Sequence, residues 1–587
     1  MKFDAVIKGG TIVDGTGAAP FTADVAFANG RIVEIGQVQG AARRVFDADG
    51  AVVTPGWVDA HTHYDGQVTW DDKLEGSSAN GVTTVVMGNC GVGFAPAPPD
   101  GVSDLIDLME GVEDIPGTAL YEGMPWGEWE SFPEYLAFLD RRQWTLDVAA
   151  QLAHGALRFY VMGERAVRSK DCTADELAQM ARLVEEAVAA GAAGFSTSRI
   201  RGHRAMSGYA VPGTFAPEEE LAGIARAMRD GGGAVFQAIP ASAVGEYMGP
   251  KREQATVAEE VRMFGRLSRE TGLRFTFSTF QTDQPVDGWR HALSISAEEN
   301  AAGAQLHPMV APRGGTVLTT LRGYHLFMQR PTFLRFKGLA LPQLVAELAK
   351  PAIKAAILAE NDVRDERPGS MENALPSLFL SSLDRTFPMT DPIDYEPVQS
   401  MALSAQARAI GRDRFEYLYD FLLGDGGNAI AVVFGVNYVD GNLDACREML
   451  LDPNTVSGLS DAGAHVNFIC DMSNPTFHLT HWVRDRSRGA RLPIEKVVAK
   501  ATGVPARLYG FADRGTLQVG KRADINIVDL ERLHIDIPRL RNDLPAGGQR
   551  FLQLASGYLA TIVNGVTVRE RDIDTGARPG RVVRPTR

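Results

Sequence analysis

The sequence predicts an α/β protein: a (β/α)8 barrel of TIM type joined to a small β-sandwich domain built from both chain ends. Three observations predict it. Eight apolar runs of strand length alternate with helix-period stretches through the middle of the chain, short β-rich runs with Asn-Gly turns stand at both termini, and most residue types able to do chemistry follow directly on the apolar runs. A barrel gathers its chemistry at the C-terminal ends of its strands, and 587 residues accommodate a barrel of roughly 250 residues or more with a companion domain.

In chain order, the β-rich runs at 5–8, 11–14, 24–27, 31–35 and 51–53, with Asn29-Gly30 as a hairpin turn, read as a small antiparallel sheet. The stretches 515–529 and 559–569, the latter with Asn564-Gly565, read the same way. Together they predict one composite domain from residues 1–54 and 510–587, leaving 55–509 for the barrel. The barrel strands are expected at 57–60, 83–87, 148–153, 193–196, 234–239, 273–277, 304–310 and 455–459. One intervening helix starts at the capping box Thr173/Glu176 and stops at Gly191; another has Pro217 in its first turn and ends at the glycines 231–233. The interval 316–450 exceeds one crossover helix. It predicts an insertion over the barrel mouth, whose prolines (368, 376, 388, 392, 397) suit a lid or interface.

Composition narrows the function class. A hydrophobic content of 45% with 22% charged residues is that of a globular chain. The net charge of -14 is spread along the chain, which argues against nucleic acid or an anionic membrane as partner and leaves homo-oligomerisation open. Charges interrupt the first residues and no long apolar run occurs, so a cytoplasmic protein is expected. Cys90, Cys172, Cys446 and Cys470 are too widely spaced for a disulfide framework.

The chemistry centres on His61 and His63. In an extended segment both imidazoles point to one side, about 6.6 Å apart at their α-carbons, close enough to share an ion. The pair follows an apolar strand, with Asp59 and Asp65 nearby as acceptors for its other ring nitrogens. A cysteine at the end of an apolar run, such as Cys90, is by itself usually a small buried hydrophobe. Asp461 follows the last strand, where a helix cap is its ordinary alternative.

These segments resemble the amidohydrolase superfamily and, within it, the N-acyl-D-amino-acid deacylase (D-aminoacylase) group. The resemblance rests on Val6-Ile-Lys-Gly-Gly-Thr-Ile-Val-Asp-Gly15, Pro55-Gly-Trp-Val-Asp-Ala-His-Thr-His-Tyr-Asp65, Gly81-Val-Thr-Thr-Val-Val-Met-Gly-Asn-Cys90-Gly91, His154-Gly-Ala-Leu-Arg158 with Val161-Met-Gly163, Gly191-Ala-Ala-Gly-Phe-Ser-Thr197, Ser460-Asp461 and the run 513–524. It implies that His61, His63, Cys90 and Asp461 hold a Zn²⁺-like ion and that Asp461 is the general base and acid of amide hydrolysis. A Zn²⁺-type ion acidifies bound water to a pKa of ~7 and polarises a carbonyl.

The chain departs from the group at strands five and six. The histidines expected there are replaced by the segments around Gln237 and Thr279, and the lysine that would meet a substrate carboxylate is absent. One ion is therefore expected rather than two. Contacts to a small-molecule amide substrate are expected from His154, Ser196, Arg199, Tyr209, Gln237 and Arg313, with Arg201, His203 and His307 as further candidates. His154 has a hydrogen-bonded core histidine as its equal alternative, and loop arginines are by default solvated. The leading reading is a deacylase of N-acyl amino acids. The alternatives are a hydrolase of another amide, cyclic amide or ester, and a scaffold protein that has lost catalysis.

Overall fold

The computed structural model describes residues 2–241, 243 and 256–586. Eight strands pair in chain order: Trp57–Asp59, Val82–Met87, Asp147–Ala153, Gly194–Ser198, Val235–Ile239, Arg274–Thr279, Leu306–Val310 and Val456–Ser457. Each pairing is parallel. The loops after strands one and eight meet across the seam, through a parallel bridge between Thr62 and Ala462 and a 2.9 Å hydrogen bond from the His63 N–H to the Ala462 carbonyl. All eight expected strands are present. The last is shorter than expected, because Leu459 adopts a left-handed φ of 63°.

The strands read as unbroken apolar runs because both faces are buried. Val58, Val86, Ala149, Ala193, Val235, Met309 and Val456 fill one cluster. Their neighbours Val85, Val148, Phe195, Phe236 and Phe275 belong to the larger core shared with the helices. Phe236 packs between Phe195 and Phe275 at ring separations of 5.1 and 4.6 Å, tying strands four to six together.

The helix Ala174–Ala190 has the reciprocal Thr173/Glu176 box and stops at Gly191, which takes φ 110°. The helix Glu218–Asp230 begins one residue later than predicted, with Pro217 as its extended N-cap rather than in its first turn.

Both chain ends contribute to a nine-stranded sheet: Phe3–Ile12, Phe21–Ala28, Arg31–Gly36, Ala42–Asp47 and Val52–Pro55 from the front, and Ile525–Val528, Tyr558–Val563, Val566–Glu570 and Ile573–Asp574 from the back. The runs 5–8 and 11–14 merge into one strand whose register shifts between Ile7 and Gly10. Its first half pairs with Ala42–Asp47 and its second with Val52–Pro55. This irregularity redirects the strand between two partners. Ile7, Ile12, Val25, Phe27, Ile525 and Ile562 share the core of this unit.

Within 316–450, Thr316–Thr320, Thr386–Pro388 and Ile430–Phe434 form an antiparallel sheet, and helices pack on it around a separate apolar core including Leu326, Phe333, Leu348, Phe379 and Leu422. Phe468, from the segment after Asp461, joins that core and accepts a 2.6 Å hydrogen bond from the Leu318 N–H. No helix among the described residues is long and apolar enough to cross a membrane.

Candidate metal centre

The loop after strand one points both His61 and His63 inward; each side chain is 1% exposed. Cys90 reaches them from a tight turn after strand two. Its own φ is 57°, and the flanking Gly88 and Gly91 take 80° and 71°. A Cβ on Gly91 would lie 2.8 Å from the Ser198 main-chain nitrogen, so the turn needs glycine there for space as well as backbone geometry. Asn89 pins the turn by donating to the Thr62 and Val86 carbonyls at 3.0 and 2.9 Å, and accepts from Gln151 at 2.7 Å.

Asp461, at φ 48°, arrives from the loop after strand eight. Its neighbour Ser460 donates a 2.5 Å hydrogen bond to Asp59, which stitches this loop to strand one. The Asp461 carboxylate lies 3.3 Å from His61 Nε2 and 3.8 Å from His63 Nε2. The Cys90 sulfur lies 3.2 and 3.6 Å from the same nitrogens. His61, His63 and Cys90 are the one group among the described residues whose donor atoms cluster tightly enough to share an ion.

The separations among His61, His63 and Cys90 suit three ligands of one tetrahedral ion, with Asp461 approaching from the histidine side, outside that tight set. Arms of about 2.0–2.3 Å give tetrahedron edges of about 3.3–3.8 Å. Several buried polar atoms in the cluster lack any hydrogen-bond partner: Nδ1 of both histidines, the facing Asp461 oxygen and both oxygens of Glu113. Of these, the Asp461 oxygen faces both Nε2 atoms, and an orphaned buried carboxylate oxygen there is costly unless a cation completes the set.

Electrostatics agree with that reading. Burial holds His61 down at about 3, helped by the charges of His465 and His203, and pulls His63 well below the imidazole range, so both rings keep a free lone pair. Burial, with Glu113, Asp461 and Asp65 nearby, pushes the Cys90 thiol well above its ordinary range. Burial and the charges of Asp471 and Asp59 push Asp461 up to about 8. A divalent cation reverses the last two tendencies. Asp461 is also the ligand candidate whose side chain keeps appreciable exposure, 23%, against 1% for the histidines.

The expected substrate contacts divide differently. Gln237 accepts from the Cys90 N–H at 3.2 Å and Ser196 accepts from the Gly91 N–H at 3.0 Å, so both support the cysteine turn. His154 is fully buried, with Nδ1 on Thr197 and Nε2 on Glu220, each at 2.9 Å, and Arg158 doubly bonded to the same carboxylate. No ring nitrogen of His154 is left for a substrate. Arg199 is paired with Glu260 at 2.5 Å. Arg313, 1% exposed, is bound to Asp471, Ser473 and the Cys470 carbonyl and stacks on Tyr395. Tyr209 is 44% exposed. His307 sits in the first half of strand seven, away from the end that carries chemistry.

Two residues that the sequence reading passed over stand beside the cluster. Glu113, the last residue of the helix Val102–Glu113, is 3.4 Å from His63 Nδ1 through one oxygen and 3.4 Å from His465 Nε2 through the other. Spacing was the one available signal for His465, which follows Asp461 by four positions. The adjoining Asp114 accepts from Tyr324 at 2.6 Å and from the Asn467 N–H at 3.0 Å. Tyr324 and Asn467 also line a cavity of about 330 Å³ between the insertion and the segments carrying Asn467 and Gln549.

The sequence profile described as the amidohydrolase family matches residues 44–569. An uncharacterized protein of Mycobacterium tuberculosis is 28% identical over 90% of this chain and 85% of its own length. A D-aminoacylase from Alcaligenes xylosoxydans xylosoxydans is 26% identical, covering 100% of this chain and 98% of the relative. Among solved structures, a D-aminoacylase aligns with a TM-score of 0.63 at 24% identity, covering 99% of each chain. The N-acyl-D-glutamate deacylase of Bordetella bronchiseptica, complexed with zinc and a phosphonate inhibitor, aligns at 0.61 and 24%, covering 100% of each.

Proposed function

The chain belongs to the amidohydrolase family and is a hydrolase of carbon–nitrogen bonds other than peptide bonds, and from that premise we propose that it is a mononuclear Zn²⁺ deacylase of N-acyl amino acids. The observation that carries the reading is the cluster of His61, His63 and Cys90 with Asp461 at 3.3 Å.

His61 and His63 would hold the ion through their Nε2 lone pairs, Cys90 through its thiolate and Asp461 through the oxygen facing both histidines. When bound, the ion supplies Lewis-acid polarisation of the scissile carbonyl and lowers the pKa of a water molecule to about 7. Asp461, more exposed than the other three, accepts the proton of the attacking water and returns it to the leaving nitrogen. Asp59 and Ser460 keep that carboxylate in place through the seam. One ion is favoured over two because Gln237, at the end of strand five, is spent on the Cys90 turn, and strand six offers Ser278 and Thr279 rather than imidazoles.

One observation favours a second reading of the substrate. Arg199 and Arg313 are engaged in ion pairs with the buried carboxylates of Glu260 and Asp471, which suits a neutral or cyclic amide better than a free carboxylate. A panel of N-acetyl-D-amino acids, their L-enantiomers, their carboxamides and cyclic amides, measured as kcat/KM with Zn²⁺ present, decides. Preference for N-acyl amino acids supports deacylation. Preference for neutral amides supports the second reading, and no turnover of any amide contradicts both.

A further inference from the structure

Glu113 is a carboxylate in an unfavourable place. It ends a helix, where the macrodipole opposes negative charge, and it is 1% exposed with neither oxygen hydrogen-bonded. Among the described residues neither an arginine nor a lysine is paired with it; the groups that face its oxygens are the imidazoles of His63 and His465. His465 is held from a second side as well, because its main-chain N–H donates to the Glu113 carbonyl.

The tautomer of His63 gives this arrangement a purpose. Nε2 faces Cys90 and Asp461, so a ring that offers a lone pair there carries its proton on Nδ1. The carboxylate opposite Nδ1 is Glu113. A ligating imidazole whose far N–H points at a carboxylate is fixed in tautomer and orientation and becomes a better donor.

We propose that Glu113 is a positioning residue that fixes His63 for metal binding through Nδ1, with His465 clamping its second oxygen. The proposal rests on the reading of His61, His63 and Cys90 as an ion site. With an ion on Nε2, the Nδ1 proton becomes more acidic, the separation from Glu113 tightens to a charge-assisted hydrogen bond, and the buried carboxylate gains its missing partner. Among the described residues no carboxylate is paired with His61 Nδ1, whose ring meets one only through Nε2, so the two ligands are unequally supported.

The test compares Zn²⁺ affinity, by competition with a chromophoric chelator, in the wild type, Glu113→Gln and Glu113→Leu. Glu113→Gln keeps an acceptor but loses the charge and is expected to bind about tenfold more weakly; Glu113→Leu loses both and should approach a hundredfold. Thermal unfolding of metal-free protein separates positioning from mere structure. Glu113→Gln removes an uncompensated buried carboxylate, so its metal-free melting temperature should equal or exceed that of the wild type while the rise on adding Zn²⁺ shrinks. Unchanged Zn²⁺ affinity in both variants, or equal losses of melting temperature with and without metal, overturns the proposal. Failure of the wild type itself to bind Zn²⁺ is a distinct result that overturns the site reading beneath it.

Discussion

If the His154–Glu220–Arg158 triad is a structural ion cluster rather than part of the substrate site, Glu220→Gln should cost stability in a pH-dependent way and leave catalysis intact. Burial opposes ionisation of Glu220, but the hydrogen bond from His154 and the charges of His154 and Arg158 outweigh it and bring the group from 4.5 to about 2. At about 1.36 kcal/mol per pKa unit, that fall is worth about 3 kcal/mol. The folded pKa is depressed, so this stability is fully present above pH 4.5 and lost as the pH falls towards 2. Between pH 7 and 3.5 roughly half of it is lost. At about 2.1 cal/mol/K of unfolding entropy per residue, the 587-residue chain converts 3 kcal/mol into about 2–3 °C of melting temperature. Thermal unfolding of wild type and Glu220→Gln at pH 7 and pH 3.5 is the assay. The gap should be about 2–3 °C at pH 7 and roughly half that at pH 3.5. A gap of constant size, or a folded variant with kcat/KM reduced a hundredfold, refutes the reasoning.

The remaining expectations concern the site and its frame. Asp461→Asn keeps the shape of the proton acceptor but not its basicity, and should lower kcat by about 10²–10⁴ with KM changed only a few-fold; steady-state kinetics with Zn²⁺ present checks this. Gly91→Ala places a Cβ 2.8 Å from the Ser198 nitrogen at φ 71°. The turn must shift and Cys90 with it, which chelator competition should read as a several-fold weaker Zn²⁺ site, about 1 kcal/mol or more. Arg313→Met strands the buried Asp471 and should destabilise the fold by about 3–5 kcal/mol, seen in thermal unfolding, without changing the substrate preference of the folded fraction.

Much of this fold is written locally. A strand buried on both faces is a continuous apolar run, so 83–87 and 148–153 announce themselves, and the Thr173/Glu176 box and both Asn-Gly turns act within a few residues of where they stand. Ala42–Asp47 escaped notice because its alternation is carried by arginines, with only Phe46 well buried. His61 and His63 were legible because two ligands lie on one extended segment. Glu113 was not: its helix also carries Asp104, Asp107 and Glu110, and nothing in that acidic run marks the one carboxylate that turns inward to meet a residue fifty positions earlier. The same limit applies to Arg199 and Arg313. An arginine on a loop looks available until the fold supplies Glu260 or Asp471 as its partner. Gln237 and Ser196 stand at the strand ends where substrate contacts are sought, yet their acceptors face the main chain of the cysteine turn.

The central claim, a single catalytic ion held by His61, His63, Cys90 and Asp461, is tested most directly by counting metal in purified protein alongside His61→Ala and His63→Ala. The account predicts about one tightly held Zn²⁺ per wild-type chain, its loss from both variants, and loss of amide hydrolysis with it. A wild type that hydrolyses amides after exhaustive metal removal, or a His63→Ala variant that keeps both its ion and full activity, would contradict it.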